Sequence, residues 1–213
     1  MKKLIAIIDY EMGNVHSVKK ALESVTDASV EITGDPQKIL SANRVVFPGQ
    51  SAISGTMNNL REKGLVEVIK KVAHEKPFFG MCIAPQALME WSEENGGVEC
   101  LGIFPGNVRG FSKGTCDNHT GVRLKIPHMG WNRVWQTVTH DLWHGIDDGS
   151  WFYFVHSFYL NVAKTEQIAG LTEHGIRFPA AIYQGYIFAT QFHPEKSSHN
   201  GLRLLSNFCS WNP

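Results

Sequence analysis

Residues 4–8 read Leu-Ile-Ala-Ile-Ile, an uninterrupted apolar run that ends at Asp9. Five consecutive apolar residues leave no polar face, so a strand here must be covered on both sides, as in a parallel sheet between helices. The following residues repeat that logic. Asn14 offers an N-cap, and Val15, Val18, Ala21, Leu22 and Val25 fall at helical spacing. Residues 28–33 read as a strand, and Arg44 to Phe47 as another, stopped by Pro48-Gly49. Leu60, Leu65, Val68, Ile69 and Val72 predict one amphipathic helix over residues 58–73. Pro77 to Gly80 reads as a strand and Ala84 to Trp91 as a helix. This alternation predicts an open, mostly parallel α/β sheet with helices on both faces.

The second half changes character. From about 98 to 192, turns are frequent and aromatic or β-branched runs dominate. Trp151 to Leu160, Gln167 to Thr172, Phe178 to Tyr183 and Tyr186 to Phe192 read as strands of a smaller, mostly antiparallel β portion. A last helix is predicted over His199 to Trp211, with Leu202, Leu205, Phe208 and Cys209 on one face. Residues 110–120 read as an exposed loop. No linker or repeat interrupts the chain, so residues 1–213 are expected to form a single domain.

Several function classes fall away. Twenty basic and twenty acidic residues leave a formal net charge of zero, without the basic stripe of a nucleic-acid binder. No apolar run approaches the ~20 residues of a membrane span. Met1-Lys2-Lys3 before Leu4 has the look of a signal peptide, but Asp9 cuts the run short of the ~7 residues an h-region needs, so a cytoplasmic location is expected. Cys82, Cys100, Cys116 and Cys209 form no CxxC pair. His119, His128, His140, His144, His156, His174 and His199 lack paired i, i+4 spacing with a carboxylate partner; only His140 and His144 are so spaced, in a turn-like context. No metal and no cofactor are expected.

Two strings carry chemistry. Residues 77–86 read Pro-Phe-Phe-Gly-Met-Cys-Ile-Ala-Pro-Gln, a strand, a sharp turn at Cys82 and a helix start. This is the layout of a nucleophile elbow, which raises the thiol at the carboxyl end of the sheet with a helix N-terminus behind it. An inert buried cysteine is the alternative that this string alone leaves open. Residues 190–198 read Thr-Gln-Phe-His-Pro-Glu-Lys-Ser-Ser. On an extended segment His193 and Glu195 would share one side, where the carboxylate can fix the imidazole's tautomer and support its charged form. Taken alone, that string could equally be a strand end with a surface pair.

The order of these strings, an elbow after a central strand and His-Pro-Glu before the last helix, resembles the class I (triad) glutamine amidotransferases. Within them, Asp9-Tyr10, Gly13-Asn14, Pro127-His128-Met129-Gly130-Trp131-Asn132 and Tyr153-Phe154-Val155-His156-Ser157-Phe158 are similar to the glutaminase subunits of imidazole glycerol phosphate synthase. The resemblance covers essentially the whole chain. It implies a flavodoxin-like glutaminase fold and hydrolysis of glutamine through a Cys82 thioester, with His193 as base and acid and Glu195 as its orienter. By the same resemblance Ile83, Gly49 and Gln50 would supply the oxyanion donors, and Gln86, His156, Ser157 and Phe158 would hold glutamine. The partner implied is a (β/α)8 cyclase subunit forming a heterodimer, docked through Asn14, Met129, Trp131 and Lys196. A paralogous subunit feeding ammonia to a surface-sugar amidotransferase, or a weakly active binding subunit, are the alternatives. The chain departs from the family's glycines at Glu11, Ser51 and Ala84. Pro85 is tolerable in a first helical turn, yet it is expected to push Ala84 away from the α region and so to alter the elbow.

Overall fold

A computed structural model describes residues 3–112, 114–118 and 120–213; Met1, Lys2 and His119 of the readings above lie outside the described residues. In chain order the elements are β1 (Leu4–Ile8), α1 (Val15–Glu23), β2 (Ser29–Thr33), α2 (Pro36–Ser41), β3 (Arg44–Phe47), α3 (Ile53–Glu62), α4 (Val66–Glu75), β4 (Phe78–Met81), α5 (Ile83–Ala87), β5 (Trp91–Ser92), β6 (Val98–Glu99) and β7 (Gly106–Gly110). They continue with β8 (His128–Gln136), β9 (Ser150–His156), β10 (Phe158–Val162), β11 (Ile168–Glu173), β12 (Arg177–Gln184), β13 (Ile187–Thr190) and α6 (Ser198–Ser210).

A nine-stranded sheet runs β2-β1-β3-β4-β13-β12-β11-β8-β9. The first five of these strands are mutually parallel and the remaining pairings are antiparallel. The antiparallel portion thus extends the parallel sheet rather than standing apart from it. A second, four-stranded sheet has the order β10-β7-β5-β6.

The apolar run of β1 is explained by its two buried faces. Ala6 and Ile8 pack with Phe47, Leu60, Ile69 and Phe78 on the side of α3 and α4. Ile5 and Ile7 pack with Val46, Phe79, Leu205 and Phe208 on the side of α1 and α6. Asn14 caps α1, its Oδ1 accepting from the Ser17 N–H at 3.2 Å.

Four local expectations are corrected. The single helix over 58–73 is two, α3 and α4, because Gly64 takes a left-handed φ of 65° after Glu62. Leu60, Leu65, Ile69 and Val72 still share one buried cluster, which is why the periodicity reads as continuous. The helix at Ala84 stops at Ala87, since the chain enters β5 at Trp91. The strand over 151–160 divides at Ser157, where the chain leaves the large sheet as β9 and joins the small one as β10. On α6 the buried residues are Gly201, Leu204, Leu205 and Phe208, while Leu202 is exposed.

Candidate active site

Strand β4 ends at Met81 beside β13, and the turn between β4 and α5 is one residue long. That residue is Cys82, at φ 58° and ψ −93°. A non-glycine residue held there is strained, and such strain persists only where neighbours over-determine it. They do: the Cys82 N–H donates to the Thr190 carbonyl at 2.8 Å, and Gln191 Nε2 donates to the Cys82 carbonyl at 3.0 Å. Ala84 lies inside α5 in spite of Pro85. The expected displacement of Ala84 from the helix does not occur, and Pro85 stands in the first turn as the sequence allows. The first helical N–H groups have no intrahelical acceptor, so a proline in that turn removes nothing.

The segment after β13 supplies the second half of the site. His193 and Glu195 lie in and beside a 3-10 turn, Pro194–Lys196, rather than on an extended segment. His193 Nδ1 and Glu195 Oε1 are 2.8 Å apart, and both side chains are almost fully buried. The turn is clamped on each side. The His193 N–H donates to the Tyr153 carbonyl at 2.9 Å, and Ser197 Oγ donates to the His193 carbonyl at 2.6 Å. Helix α6 presses against it at Gly201, where a Cβ would meet the Pro194 carbonyl oxygen at 1.9 Å.

Because Nδ1 is committed to Glu195, Nε2 is the nitrogen left to face Cys82, and it is buried without a hydrogen-bond partner. Burial by itself would lower the His193 pKa. The charge of the Cys82 sulfur, and then Glu195, outweigh burial and hold the imidazole well above its ordinary value. The arrangement therefore favours an imidazolium at His193, backed by a buried carboxylate.

Cys82, Ile83, Gln86 and His193 open onto a cavity of about 440 Å³, together with Gln50, Ser51, His156, Ser157 and Phe158. Ile83 is the first residue of α5, so its N–H points out of the helix end beside the thiol. Gly49 lies behind the loop and does not line the cavity. Its Cα faces Tyr10 and Ile83 so closely that a Cβ there would stand 2.0 Å from Tyr10 Oη and 2.2 Å from Ile83 Cγ2. Tyr10 Oη donates to the Pro48 carbonyl at 2.9 Å, and the Ser51 and Thr56 hydroxyls are 2.8 Å apart, so the loop is tied at both ends. Gln86 Nε2 contacts Gln191 Oε1 at 2.9 Å and the Phe158 carbonyl at 3.2 Å. His156 borders the cavity, but both its ring nitrogens are engaged by protein groups.

Two residues escaped the sequence reading. Among the described residues Glu94 is the only carboxylate bordering the cavity, and its Oε2 accepts from the Ile53 N–H at 2.9 Å. It caps α3 from a distant turn because Ala52 has no side-chain acceptor of its own. Nothing in the string Glu93-Glu94-Asn95-Gly96-Gly97 signals this, as it is legible only as a turn. Gln191 was read as part of a string, without its tie to Cys82.

Around the mouth, Met129 and Trp131 are 63% and 49% exposed. They face the same side of the β8–β9 pair as Val155 and Tyr153, their register partners, which line the cavity. Trp131 therefore does not pack into the core. Lys196 is exposed, with Nζ 6.0 Å from the centre of the Tyr153 ring. Asn14 lies on the other side of the 48–50 loop, committed to its helix cap. Glu11 sits at φ 65°, a left-handed conformation that glycine adopts at no cost, and pairs with Lys63 at 2.8 Å. Among the described residues no cluster of three or more His, Cys, Asp or Glu side chains is placed to hold a metal ion, and no helix is long and apolar enough to cross a membrane.

The family described as glutamine amidotransferase class-I matches residues 6–210. Imidazole glycerol phosphate synthase subunit HisH of Pseudomonas putida is 51% identical over 207 residues, covering 97% of each chain. Subunit HisH 1 of Pseudomonas aeruginosa is 50% identical over 212 residues, covering 99% of this chain and 98% of its own. Among solved structures, PurLQS from Thermotoga maritima aligns with a TM-score of 0.75 at 16% identity over 99% of both chains. The glutaminase domain of CTPS from Trypanosoma brucei, solved with bound acivicin, aligns at 0.64 and 15% identity over 100% of this chain and 96% of its own. At these identities the structural matches speak for the fold alone.

Proposed function

Because this chain belongs to the class I glutamine amidotransferases, we propose that it hydrolyses glutamine to glutamate and ammonia as the glutaminase subunit of imidazole glycerol phosphate synthase. The observation that carries the reading is the meeting of a strained Cys82 with the buried His193–Glu195 pair at the floor of an amino-acid-sized cavity.

The chemistry follows from that placement. The Cys82 thiolate attacks the side-chain carbonyl carbon of glutamine, and the carbonyl electrons move onto oxygen. The Ile83 N–H receives that oxyanion, with a second N–H from the Gly49-Gln50 loop. His193 Nε2–H protonates the leaving nitrogen, ammonia departs, and a glutamyl thioester remains. Water, deprotonated by His193, opens the thioester and regenerates the thiolate. Glu195 keeps the proton of Nδ1 in place throughout. Gln86, Ser157 and Phe158 hold the glutamine, and Glu94, a carboxylate bordering the cavity, takes its α-ammonium group.

The named relatives are subunits of a synthase, so the chain works with a partner subunit. We read that partner as a (β/α)8 cyclase joined in a heterodimer, with Met129, Trp131 and Lys196 at the contact and Asn14 at its rim. Large exposed apolar side chains contiguous with a reactive cavity are what an interface core needs, and docking there shields ammonia from solvent water. Residues 1–213 serve as one glutamine amidotransferase domain, working in the cytoplasm without a cofactor. The test is glutamate release by the wild-type chain and by Cys82→Ser, each with and without the cyclase subunit. The proposal requires cyclase-stimulated release by the wild type and background release by Cys82→Ser. Equal release by both would overturn it.

A further inference from the structure

His156 and His128 form a buried pair whose hydrogen bonds have only one consistent assignment. His156 Nδ1 lies 2.7 Å from the Phe158 carbonyl oxygen, which can only accept. Nδ1 therefore carries a proton. In a neutral ring Nε2 is then an acceptor, and it faces His128 Nδ1 at 2.8 Å. His128 must donate through Nδ1, leaving its own Nε2 to accept from Asn132 Nδ2 at 3.1 Å. The Asn132 amide is oriented independently, since Nδ2 also donates to the Glu173 carbonyl at 2.7 Å and Oδ1 accepts from the Arg133 N–H at 2.8 Å. Four hydrogen-bonding groups thus point one way, from Asn132 to the Phe158 carbonyl.

That carbonyl is also an acceptor for Gln86 Nε2, which in turn reaches Gln191 Oε1, and Gln191 Nε2 holds the Cys82 carbonyl. The line runs without a gap from the strand that carries Met129 and Trp131 to the backbone of the nucleophile. Water is kept from the imidazole pair by Phe111, Phe154 and Phe178, and His174 stacks on His128 at 4.2 Å with its own Nε2 turned to the Lys125 carbonyl. Burial, reinforced by repulsion from neighbouring imidazoles, depresses His128 to about 2 and His156 to about 4, so both rings stay neutral. Chains of this kind polarise one another and act as a unit.

We propose that His128 and His156 are positioning residues: two neutral, Nδ1-protonated imidazoles that fix the Phe158 carbonyl and, through Gln86 and Gln191, the Cys82 carbonyl and the elbow. This rests on the glutaminase reading for its consequence, and it assigns His156 a place behind the substrate rather than against it.

Two measurements test it. Nitrogen-15 NMR of histidine-labelled wild-type chain reads the tautomers directly and needs no catalytic activity. Both rings are expected neutral and Nδ1-protonated at pH 7. A charged ring, or an Nε2-protonated neutral ring at either position, overturns the proposal even if the chain hydrolyses glutamine. Kinetics in the cyclase complex then read the coupling. His128→Leu and His156→Leu are each expected to lower kcat for glutamine hydrolysis about tenfold, the worth of one net hydrogen bond. The double variant should be no slower than either single one, and His128→Asn, which keeps a donor near the Nδ1 position, should recover most of the loss. Independent effects that multiply to about a hundredfold, or a rise in KM confined to His156→Leu, would instead mark His156 as a direct substrate ligand and end the proposal. Absence of hydrolysis by the wild type itself would count against the glutaminase reading, and the NMR result would still decide the relay.

Discussion

Replacing Gly49 by alanine should separate activity from fold in this chain. The added methyl would stand 2.0 Å from Tyr10 Oη and 2.2 Å from Ile83 Cγ2, both far inside van der Waals contact. Neither obstacle is a flexible surface group. Tyr10 is buried with its hydroxyl bound to the Pro48 carbonyl at 2.9 Å, and Ile83 opens α5 next to Cys82. Relief must shift the 48–50 loop, the tyrosine or the elbow. Losing the Tyr10–Pro48 hydrogen bond in a buried setting costs about 1–3 kcal/mol. Overpacking adds a further 1–3 kcal/mol or so. The expected loss is thus about 2–6 kcal/mol, within the ~5–15 kcal/mol stability usual for a domain. The rate falls as well, because the loop and Ile83 carry the proposed oxyanion donors, and one lost donor lowers kcat by about 10²–10³. Urea unfolding followed by tryptophan fluorescence gives the stability, and glutamate release in the cyclase complex gives kcat. Adding Tyr10→Phe removes the closest obstacle and should recover part of the stability. Gly49→Ala with wild-type stability and kcat within threefold of wild type would refute the packing argument.

Three further outcomes follow from the same geometry. Glu195→Gln keeps the volume but removes the charge that supports imidazolium at His193, and kcat should fall by at least about 10³ with little change in KM, measured by steady-state glutamate release. Acid should destabilise the fold through His156. Its folded pKa of about 4 lies below the ordinary 6.5, so the folded state binds fewer protons; its contribution is present above pH 6.5 and is lost as pH falls towards 4, on the order of 3 kcal/mol. His193, shifted upward, loses its contribution only above pH 6.5 and does not cancel this trend. Comparing wild type with His156→Leu by urea titration at pH 7 and pH 4.5 checks the slope, and equal slopes would contradict it. Trp131→Ala should weaken binding of the proposed cyclase subunit by at least about 2 kcal/mol by calorimetry while leaving the free chain's stability within about 0.5 kcal/mol of wild type.

The parallel half of the fold was legible because its signals are physical necessities. An all-apolar β1 demands two covered faces, and Asn14 and Pro48 end their neighbours by capping and by a missing donor. The two halves of the candidate site were legible as strings, since an elbow needs small residues around Cys82 and His193 needs a carboxylate nearby. Strand β8 was not read as a strand. Its alternation is inverted, with His128 buried and Met129, Trp131 and Trp135 exposed, so hydrophobicity points to the wrong face. The short helix α2 was missed although Asp35 caps it through Gln37 N at 2.8 Å and Pro36 opens it, because six residues carry too little periodicity. Glu94 and the His128–His156 pair depend on contacts between residues 28 to 41 positions apart, which no local pattern records.

Covalent capture at one sulfur is the most direct test of the proposed chemistry. Mixing the chain and the proposed cyclase subunit with glutamine, quenching in acid and mapping peptides by mass spectrometry should find a glutamyl group on Cys82. Cys100, Cys116 and Cys209 should carry none, and the adduct should accumulate when Glu195→Gln slows its hydrolysis more than its formation. Turnover of glutamine with Cys82 unmodified at every quench time, or with Cys82→Ser as fast as wild type, would contradict it.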